Sequence, residues 1–417
     1  DLVTLVFTSG STGIPKGIMM SDRALRKEVL SLRIKDPKVR FSFCPLAHMS
    51  DRKYTLLAMC NGARVGIFTR EFVHIFEDIQ NCKPVVIAST PRLFNVLYDE
   101  FKKVVELERI RWLSSTETGK PKTEKELEER TMLDFQYMLG GRVQSIILGG
   151  ASSSPQLREF LAKCFQCKVT DGFGMSEAGG IMNNNRLNTN VEYKLIDVPE
   201  LSYFTTDKPY PRGELCVKTN YMFIGYYKNE ELTNNALDEN GWLHTNDIVE
   251  ELGPNQIRII DRLKNIFKLS QGEFIAPAKI EDALTTSKFI FQAFIYGNVT
   301  KSYLVGVIVP NKTVLKQFAI KEGIIKPSAD HHLLNEEEKE VLANNELIKK
   351  ALCEEIEKVA VNCSLLSYEV PKDFIIEFEP FSEKNDLLTS SMKVKRFGCE
   401  MKYKEQLETL YEHVDRN

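Results

Sequence analysis

Ten residues near the start of the chain, Thr8-Ser-Gly-Ser-Thr-Gly-Ile-Pro-Lys-Gly17, constrain its fold more than any other stretch. They follow an apolar run, Leu2-Val-Thr-Leu-Val-Phe7, that reads as a short buried strand. Gly10, Gly13 and Gly17 permit positive φ and close approach of backbone, so several N–H groups can converge on one anion. Thr8, Ser9, Ser11 and Thr12 add hydroxyl donors, and Lys16 adds a positive charge. A strand feeding such a loop is suited to holding a polyphosphate. It is not a Walker A loop, because the spacing Gly-x-x-x-x-Gly-Lys-Ser/Thr cannot be fitted to it.

Beyond the loop, strand-like and helical segments take turns. Ser21 is placed to cap a first helix. Residues 39–44, 63–68, 84–88 and 143–148 read as strands, and residues 91–112 and 155–165 as helices. Alternation of this kind predicts an α/β fold with mostly parallel, buried sheets. The polar stretch 114–130 reads as a surface excursion, partly helical, and the charges from Glu336 to Glu340 as a solvated helix face. From Gly213 the texture shifts to shorter strands. A smaller α+β unit is expected after Asp261-Arg-Leu-Lys264, with a helix over 276–286, strands over 290–296 and 304–309, and a long helix over 346–361. The predicted domains are therefore 1–262 and 263–417.

Length and charge narrow the function. A chain of 417 residues has room for two or three domains. A net charge of -3 gives no support to nucleic acid as a partner. No apolar run reaches the roughly 18 residues that would span a bilayer. Nine scattered cysteines suit a reducing compartment such as the cytoplasm. The pair Cys164-Phe-Gln-Cys167 lacks the second pair of ligands that a zinc site needs, and reads as structural. Gly149-Gly-Ala-Ser-Ser-Ser-Pro155 follows a strand and precedes a helix, at the usual ligand-binding edge of an α/β sheet. Taken alone, that segment reads as a plain βα turn.

The loop at Thr8–Gly17 resembles the phosphate loop of the adenylate-forming superfamily, which includes acyl-CoA synthetases, adenylation domains of peptide synthetases, and luciferases. Further segments resemble its motifs, in its order. Asp171-Gly-Phe-Gly-Met-Ser-Glu177 is similar to Tyr-Gly-x-Thr-Glu, and Gly241-Trp-Leu-His-Thr-Asn-Asp247 to Gly-Trp-Leu-His-Thr-Gly-Asp, with Asn246 in place of glycine. Asp261-Arg-Leu-Lys264 and the segment to Glu273 resemble the hinge region, and Leu387 to Arg396 the segment of the catalytic lysine, preceded here by Met392 instead of glycine.

The resemblance implies roles. Thr8, Ser9, Gly10, Ser11, Thr12, Gly13 and Lys16 would hold the phosphates of ATP. Gly149, Gly150 and Ala151 would contact adenine, with Asp171, Gly172, Phe173 and Gly174 also at the nucleotide. Ser176 would meet the α-phosphate and Glu177 would ligate Mg²⁺, in keeping with that ion's preference for hard oxygen ligands shared with substrate phosphates. Asp247 and Arg262 would take the ribose hydroxyls. Lys264 falls at the hinge, Gly272 in the loop that serves thioester formation with CoA, and Lys393 at the lysine that bridges carboxylate and α-phosphate. His48, in Pro45-Leu-Ala-His48, would border the acyl pocket, while Pro91-Arg92 reads as structural.

The implied fold is a large adenylate-forming domain of mixed α/β sheets, its amino-terminal part missing, plus a smaller mobile α+β carboxyl-terminal domain. Segments such as 206–214 and 268–274 look like carboxylic acid reductase adenylation domains. Others, such as 259–267 and 379–382, look like long-chain fatty acyl-CoA synthetases. The expected activity is ATP-dependent activation of a fatty acid followed by transfer to CoA. A carrier protein is the alternative acceptor. A membrane anchor, which some relatives have, would lie in the missing front and would hold the protein at the cytosolic face of a membrane such as the endoplasmic reticulum. Asn246 and the short front also fit a non-catalytic nucleotide-binding relative.

Overall fold

The computed structural model describes residues 1–8, 15–30, 39–69, 74–114, 121, 123–150, 153–326, 334–389 and 394–416. The chain forms two compact units. One comprises Asp1–Lys194 and Cys216–Thr245; the other comprises Leu195–Leu215, Asn246–Thr389 and the carboxyl-terminal helix.

In the first unit, β1 (Leu2–Thr8) pairs antiparallel with β2 (Lys16–Ser21), from Leu2↔Ser21 to Thr8↔Lys16, so the two ends of the glycine-rich loop stand side by side. Residues 9–14, and with them Ser9, Gly10, Ser11, Thr12 and Gly13, lie outside the described residues. The strand is present but not buried as expected. Leu2, Val3 and Phe7 are 48%, 50% and 59% exposed, while Val6 is buried. Successive side chains of a strand point to opposite faces, so a continuous apolar run is buried only where both faces are covered. β1 lies at the edge of its three-stranded sheet.

Ser21 does begin a helix: its Oγ accepts from the Ala24 N–H at 3.1 Å and opens α1 (Asp22–Leu30). The alternation then runs β3 (Arg40–Ser42), α2 (Met49–Cys60), β4 (Val65–Ile67), α3 (Ile75–Cys82), β5 (Val86–Ser89), α4 (Pro91–Ser114), α5 (Glu124–Phe135), β6 (Ser145–Gly149), α6 (Pro155–Phe165) and β7 (Lys168–Met175). Strands in the spatial order β4-β3-β5-β6-β7 are all parallel. β8 (Gly179–Asn183) and β9 (Arg186–Leu187) extend the sheet antiparallel.

Helix α4 packs Leu93, Phe94, Leu97 and Phe101, spaced for one helical face, against Ile87, Ile146 and Leu148 of the sheet and Leu157, Phe160 and Leu161 of α6. Pro155 occupies the first turn of α6, where its missing N–H costs nothing, and Ser154 caps that helix through the Leu157 N–H. The charged stretch after Ser114 becomes helical at α5, which Thr123 caps and which buries Leu127, Thr131 and Phe135.

The chain changes unit within β10 (Val191–Ile196), β11 (Arg212–Thr219) and, after β12 (Gly225–Tyr226) and α7 (Glu230–Ala236), within β13 (Leu243–Gly253). β12 returns to β2, pairing Tyr226 with Ile18.

In the second unit, β14 (Gln256–Arg262) forms a hairpin with β13. β15 (Phe267–Lys268), β16 (Phe274–Ile275), α8 (Pro277–Leu284), β17 (Ile290–Gly297), β18 (Leu304–Pro310), α9 (Lys312–Lys321), α10 (Glu336–Ala343), α11 (Glu346–Asn362), β19 (Pro371–Ile376) and α12 (Arg396–Arg416) follow. β18 lies between antiparallel β17 and parallel β19 and is buried throughout. Its alternation decides the layers. Leu304 and Ile308 face α8 and α11, while Val305, Val307 and Val309 face Cys399, Tyr403 and Leu407 of α12. The whole is the mixed α/β architecture that the alternation of the sequence predicts. Among the described residues no helix is long and apolar enough to cross a membrane.

Candidate active site

In the first unit the candidate residues follow the carboxyl ends of the parallel strands. Beyond β3, the turn Pro45–His48 closes with the His48 N–H donating to the Pro45 carbonyl at 2.9 Å, and His48 stands at the start of α2. Asp51 fastens this turn by accepting from Ser42 Oγ at 3.0 Å and from the Cys44 N–H at 2.5 Å. Burial pushes the Asp51 carboxyl above its usual range, against the pull of those bonds. At the end of β5, the buried hydroxyls of Ser89 and Thr90 have no hydrogen-bond partner among the described residues. Arg92 follows them in the first turn of α4, its guanidinium lowered to about 10 by burial.

Gly149 at the end of β6 pairs with Gly172 of β7. A Cβ on Gly149 would make only ordinary contact, 3.5 Å from the Gly172 carbonyl. Gly150 needs its residue type: its φ is +86°. Ala151 lies outside the described residues. Asp171 is engaged on the α6 side, accepting from Ser153 Oγ at 3.0 Å and pairing with Arg158 at 3.3 Å. Burial raises its carboxyl, and both partners oppose that shift. Arg158 and Asp171 border an open groove of about 520 Å³ with Glu159, Asn184 and Asn185.

The segment from Asp171 to Met175 is strand, and Ser176 and Glu177 stand in the turn between β7 and β8. Gly174 makes that turn possible, since a Cβ there would meet the Gly179 carbonyl at 2.5 Å and Gly180 Cα at 3.0 Å. Phe173 pairs across the hairpin with Met182. Ser176 is partly exposed, whereas Glu177 is 9% exposed. The Tyr226 hydroxyl donates to Glu177 Oε1 at 2.8 Å, and the Phe223 N–H donates to the Glu177 carbonyl at 2.8 Å. Tyr226 lies on β12, beside β2, and Lys16 Nζ stands 5.3 Å from its ring centroid. One tyrosine thus joins the lysine that closes the glycine-rich loop to the carboxylate of the β7–β8 turn. Thr8 lies directly across from Lys16 at the other end of that loop.

Cys164 lies in the last turn of α6 and Cys167 just beyond it. Their thiols face the carbonyls of Met132 and Leu161, and burial raises them to about 12 and about 11. All nine cysteines are free.

In the second unit, Asp247 and Arg262 are opposite one another on β13 and β14, with Arg262 Nε 3.3 Å from Asp247 Oδ1. Asp247 is buried and Arg262 is 58% exposed at its side chain. Asn246 has φ +57°, the left-handed conformation for which the motif ordinarily uses glycine. Its N–H donates to Glu214 Oε1 at 3.0 Å, and its carbonyl accepts from the Leu263 N–H at 2.8 Å. Lys264 is exposed in the turn after β14. Gly272, with φ +99°, sits in the β15–β16 turn, where its N–H donates to the Leu269 carbonyl at 2.9 Å. Lys393 lies outside the described residues. The chain just after it is fixed: Val394 bridges to Leu388, and the Lys395 N–H donates to the Leu387 carbonyl at 2.9 Å.

Three features escaped sequence reasoning. Tyr226 is 49 residues from Glu177, and the pairing of β12 with β2 together with the Phe223 N–H bond to the Glu177 carbonyl brings it there. Asp261 is buried and ties β14 to α8, a contact between segments 17 residues apart. Ser89 and Thr90 have a faint signal, two hydroxyls closing an apolar strand. No single-segment pattern reveals the other two.

A family model described as AMP-binding enzyme matches residues 1–227. The chain is 35% identical to the peroxisomal long chain acyl-CoA synthetase 6 of Arabidopsis thaliana, over 99% of this chain and 61% of that protein. It is also 35% identical to a carboxylic acid reductase of Segniliparus rugosus, over 99% of this chain and 33% of that protein. The solved structure of the A-PCP didomain of the carboxylic acid reductase from Segniliparus rugosus, in complex with AMP, superposes with a TM-score of 0.82. That match has 34% identity and covers 100% of this chain and 54% of the other. The chain therefore spans less than two thirds of the length of such relatives. With a glycine-rich loop closed by Lys16, a carboxylate turn beside it and a family model that takes in more than half of its residues, the chain belongs to the AMP-binding enzymes.

Proposed function

We propose that the chain activates a long-chain fatty acid with ATP through an acyl-adenylate and then forms a thioester with CoA. The observation that carries this reading is the cluster of Glu177, Tyr226 and Lys16. A buried carboxylate held by a tyrosine hydroxyl, with a lysine over the same ring, sets a cation-binding group and an anion-binding group on one patch. Names of relatives supply the acid class: long-chain acyl-CoA synthetases match almost the full chain.

In the first half-reaction a carboxylate oxygen of the acid bonds to the α-phosphorus of ATP, the bond to the β-phosphate breaks, and pyrophosphate leaves. Thr8 to Lys16 hold the polyphosphate, Gly149 to Ala151 and Asp171 to Gly174 flank adenine, and Asp247 and Arg262 take the ribose hydroxyls. A carboxylate with two acceptor oxygens suits a pair of hydroxyls. Ser176 and Lys393 meet charge at the α-phosphate, a task of positioning and electrostatics. Mg²⁺ fits Glu177, whose oxygens are hard ligands already oriented by Tyr226; when bound it neutralises phosphate charge. In the second half-reaction the CoA sulfur bonds to the acyl carbon, AMP leaves and the thiol proton passes to solvent. Residues 263–417 turn about Lys264 between the two steps, exchanging Lys393 for the Gly272 loop, and His48 borders the acyl chain.

Carboxylate-dependent ATP–pyrophosphate exchange by the full-length protein, with acids of roughly C8 to C18, tests this reading. Lys393→Ala is expected to abolish exchange while CoA attack on supplied acyl-adenylate persists. Equal loss of both half-reactions would contradict the division of labour. A second reading, with a carrier protein as acceptor, is favoured by the match to a reductase solved as an A-PCP didomain. Thioester formation on a carrier and not on CoA would select it.

A further inference from the structure

The turn that carries Gly272 is held by little of its own structure. β15 and β16 pair only Phe267 with Ile275 and Lys268 with Phe274, and an isolated two-stranded hairpin is marginal in water at best. Its anchors lie further along the second unit, at residues 297–302, where β17 ends and turns toward β18. The Ser270 N–H donates to the Lys301 carbonyl at 2.9 Å, and Gln271 Nε2 donates to the Ser302 carbonyl at 2.9 Å. Beside them the Phe267 ring lies on Gly297, the last residue of β17. A Cβ built on Gly297 would overlap Cε2 and Cζ of that ring and stand 2.9 Å from Cδ2. The backbone of Gly297 is not left-handed, so what requires glycine there is the close approach of the ring.

The support under this seat is closed on itself and tied to the core. Asn298 Oδ1 accepts from the Thr300 N–H at 3.0 Å and the Thr300 hydroxyl at 2.8 Å, and the Asn298 N–H donates to the hydroxyl of Tyr411, a residue of α12 that is 1% exposed. The carried turn is closed as well: the Leu269 N–H donates to the Glu273 carbonyl at 2.8 Å, and the Gly272 N–H donates to the Leu269 carbonyl at 2.9 Å. A shift of β15 on β17 therefore carries Gly272 with it. On the proposed role of the Gly272 turn in thioester formation, we infer that the seat of Phe267 on Gly297 is the positioning element of that half-reaction. Both residues act through the turn and are positioning residues, not catalytic ones. Their effect falls on CoA attack and spares adenylate formation, the opposite of the split expected for Lys393→Ala.

The test measures ATP–pyrophosphate exchange and CoA attack on supplied acyl-adenylate in the full-length protein, with thermal unfolding as the check on folding. Gly297→Ala pushes the Phe267 ring off its seat. Misplacement by about 1 Å costs on the order of 100-fold in rate, so thioester kcat is expected to fall by about that factor with exchange unchanged. Leucine lacks the two ring atoms that the new methyl would overlap, so adding Phe267→Leu to Gly297→Ala should recover most of the loss. A loss through general destabilisation would instead deepen when a second packed side chain is trimmed. Gln271→Ala, at an exposed side chain, shows the same split at about fivefold, the worth of one hydrogen bond, should Gly297→Ala fail to fold. Equal losses in both half-reactions, or unchanged thioester formation in a folded Gly297→Ala protein, would overturn the inference. Gly272→Ala, strained at φ +99°, tests the underlying reading separately. If it leaves thioester formation intact, the role of the turn falls first and the inference with it; loss there with none in Gly297→Ala sinks the inference alone.

Discussion

Asn246 carries a choice that a glycine ordinarily makes. Its φ of +57° lies where side chains with a Cβ are strained, and asparagine bears that strain better than most residues. Two backbone bonds, to Glu214 and from Leu263, hold the turn and so set the direction in which Asp247 enters β13. The departure from the family pattern was visible in the sequence. Its consequence was not, because it depends on a dihedral. The observed turn keeps the left-handed geometry, which removes one support for a non-catalytic reading. Asn246→Gly should leave stability within about 0.5 kcal/mol, whereas Asn246→Ala should cost about 1–2 kcal/mol from the same strain. Urea unfolding measures both. An alanine variant as stable as the parent would contradict the account.

Element by element, α8 shows how a helix is started from a distance. Its N-cap residue, Ala276, has no side chain able to accept a hydrogen bond. Asp261, at the end of β14, does this instead, accepting the Ala278 N–H at 2.9 Å and the Asn265 side chain at 3.0 Å. A carboxylate at a helix N-terminus is favoured by both the unsatisfied N–H groups and the dipole. Asp261→Ala should therefore lower stability by about 0.5–2 kcal/mol, with hydrogen exchange accelerated at the first turn of α8. Unchanged protection there would refute the capping role. The helix was legible from its apolar spacing; its cap was not, since capping motifs are read from adjacent residues. The same limit explains β1. Apolar content predicts a strand, but only the sheet order puts it at an edge with Leu2, Val3 and Phe7 exposed. Strands β3, β5, β6 and β18 were legible as apolar runs because strands inside a sheet are covered on both faces, and β4 was read as a strand although it lies at the sheet's edge with Ile67 exposed. The β7–β8 hairpin was masked by glycines of weak intrinsic preference, required there by the close approach of Gly174 to Gly179.

On the scale of the molecule, each of the chain's two units carries part of the set of candidate residues. The first presents the loop ends, Glu177, Tyr226 and the carboxyl edge of a parallel sheet. The second presents Asp247 with Arg262, the Gly272 turn and the fixed start of α12. Motif order made the family legible from the sequence, because each motif is a short run whose chemistry is local. The contacts that join motifs, such as Tyr226 to Glu177, are set by strand pairing and had to be seen. The central claim is attack of a carboxylate oxygen on the α-phosphorus of ATP, and isotope transfer tests it most directly. A fatty acid labelled with heavy oxygen in its carboxylate is turned over with ATP and CoA by the full-length protein. The account predicts that the released AMP carries label, because the bridging oxygen of the adenylate leaves with it. Label in inorganic phosphate with ADP as the nucleotide product, or AMP without label, would contradict it.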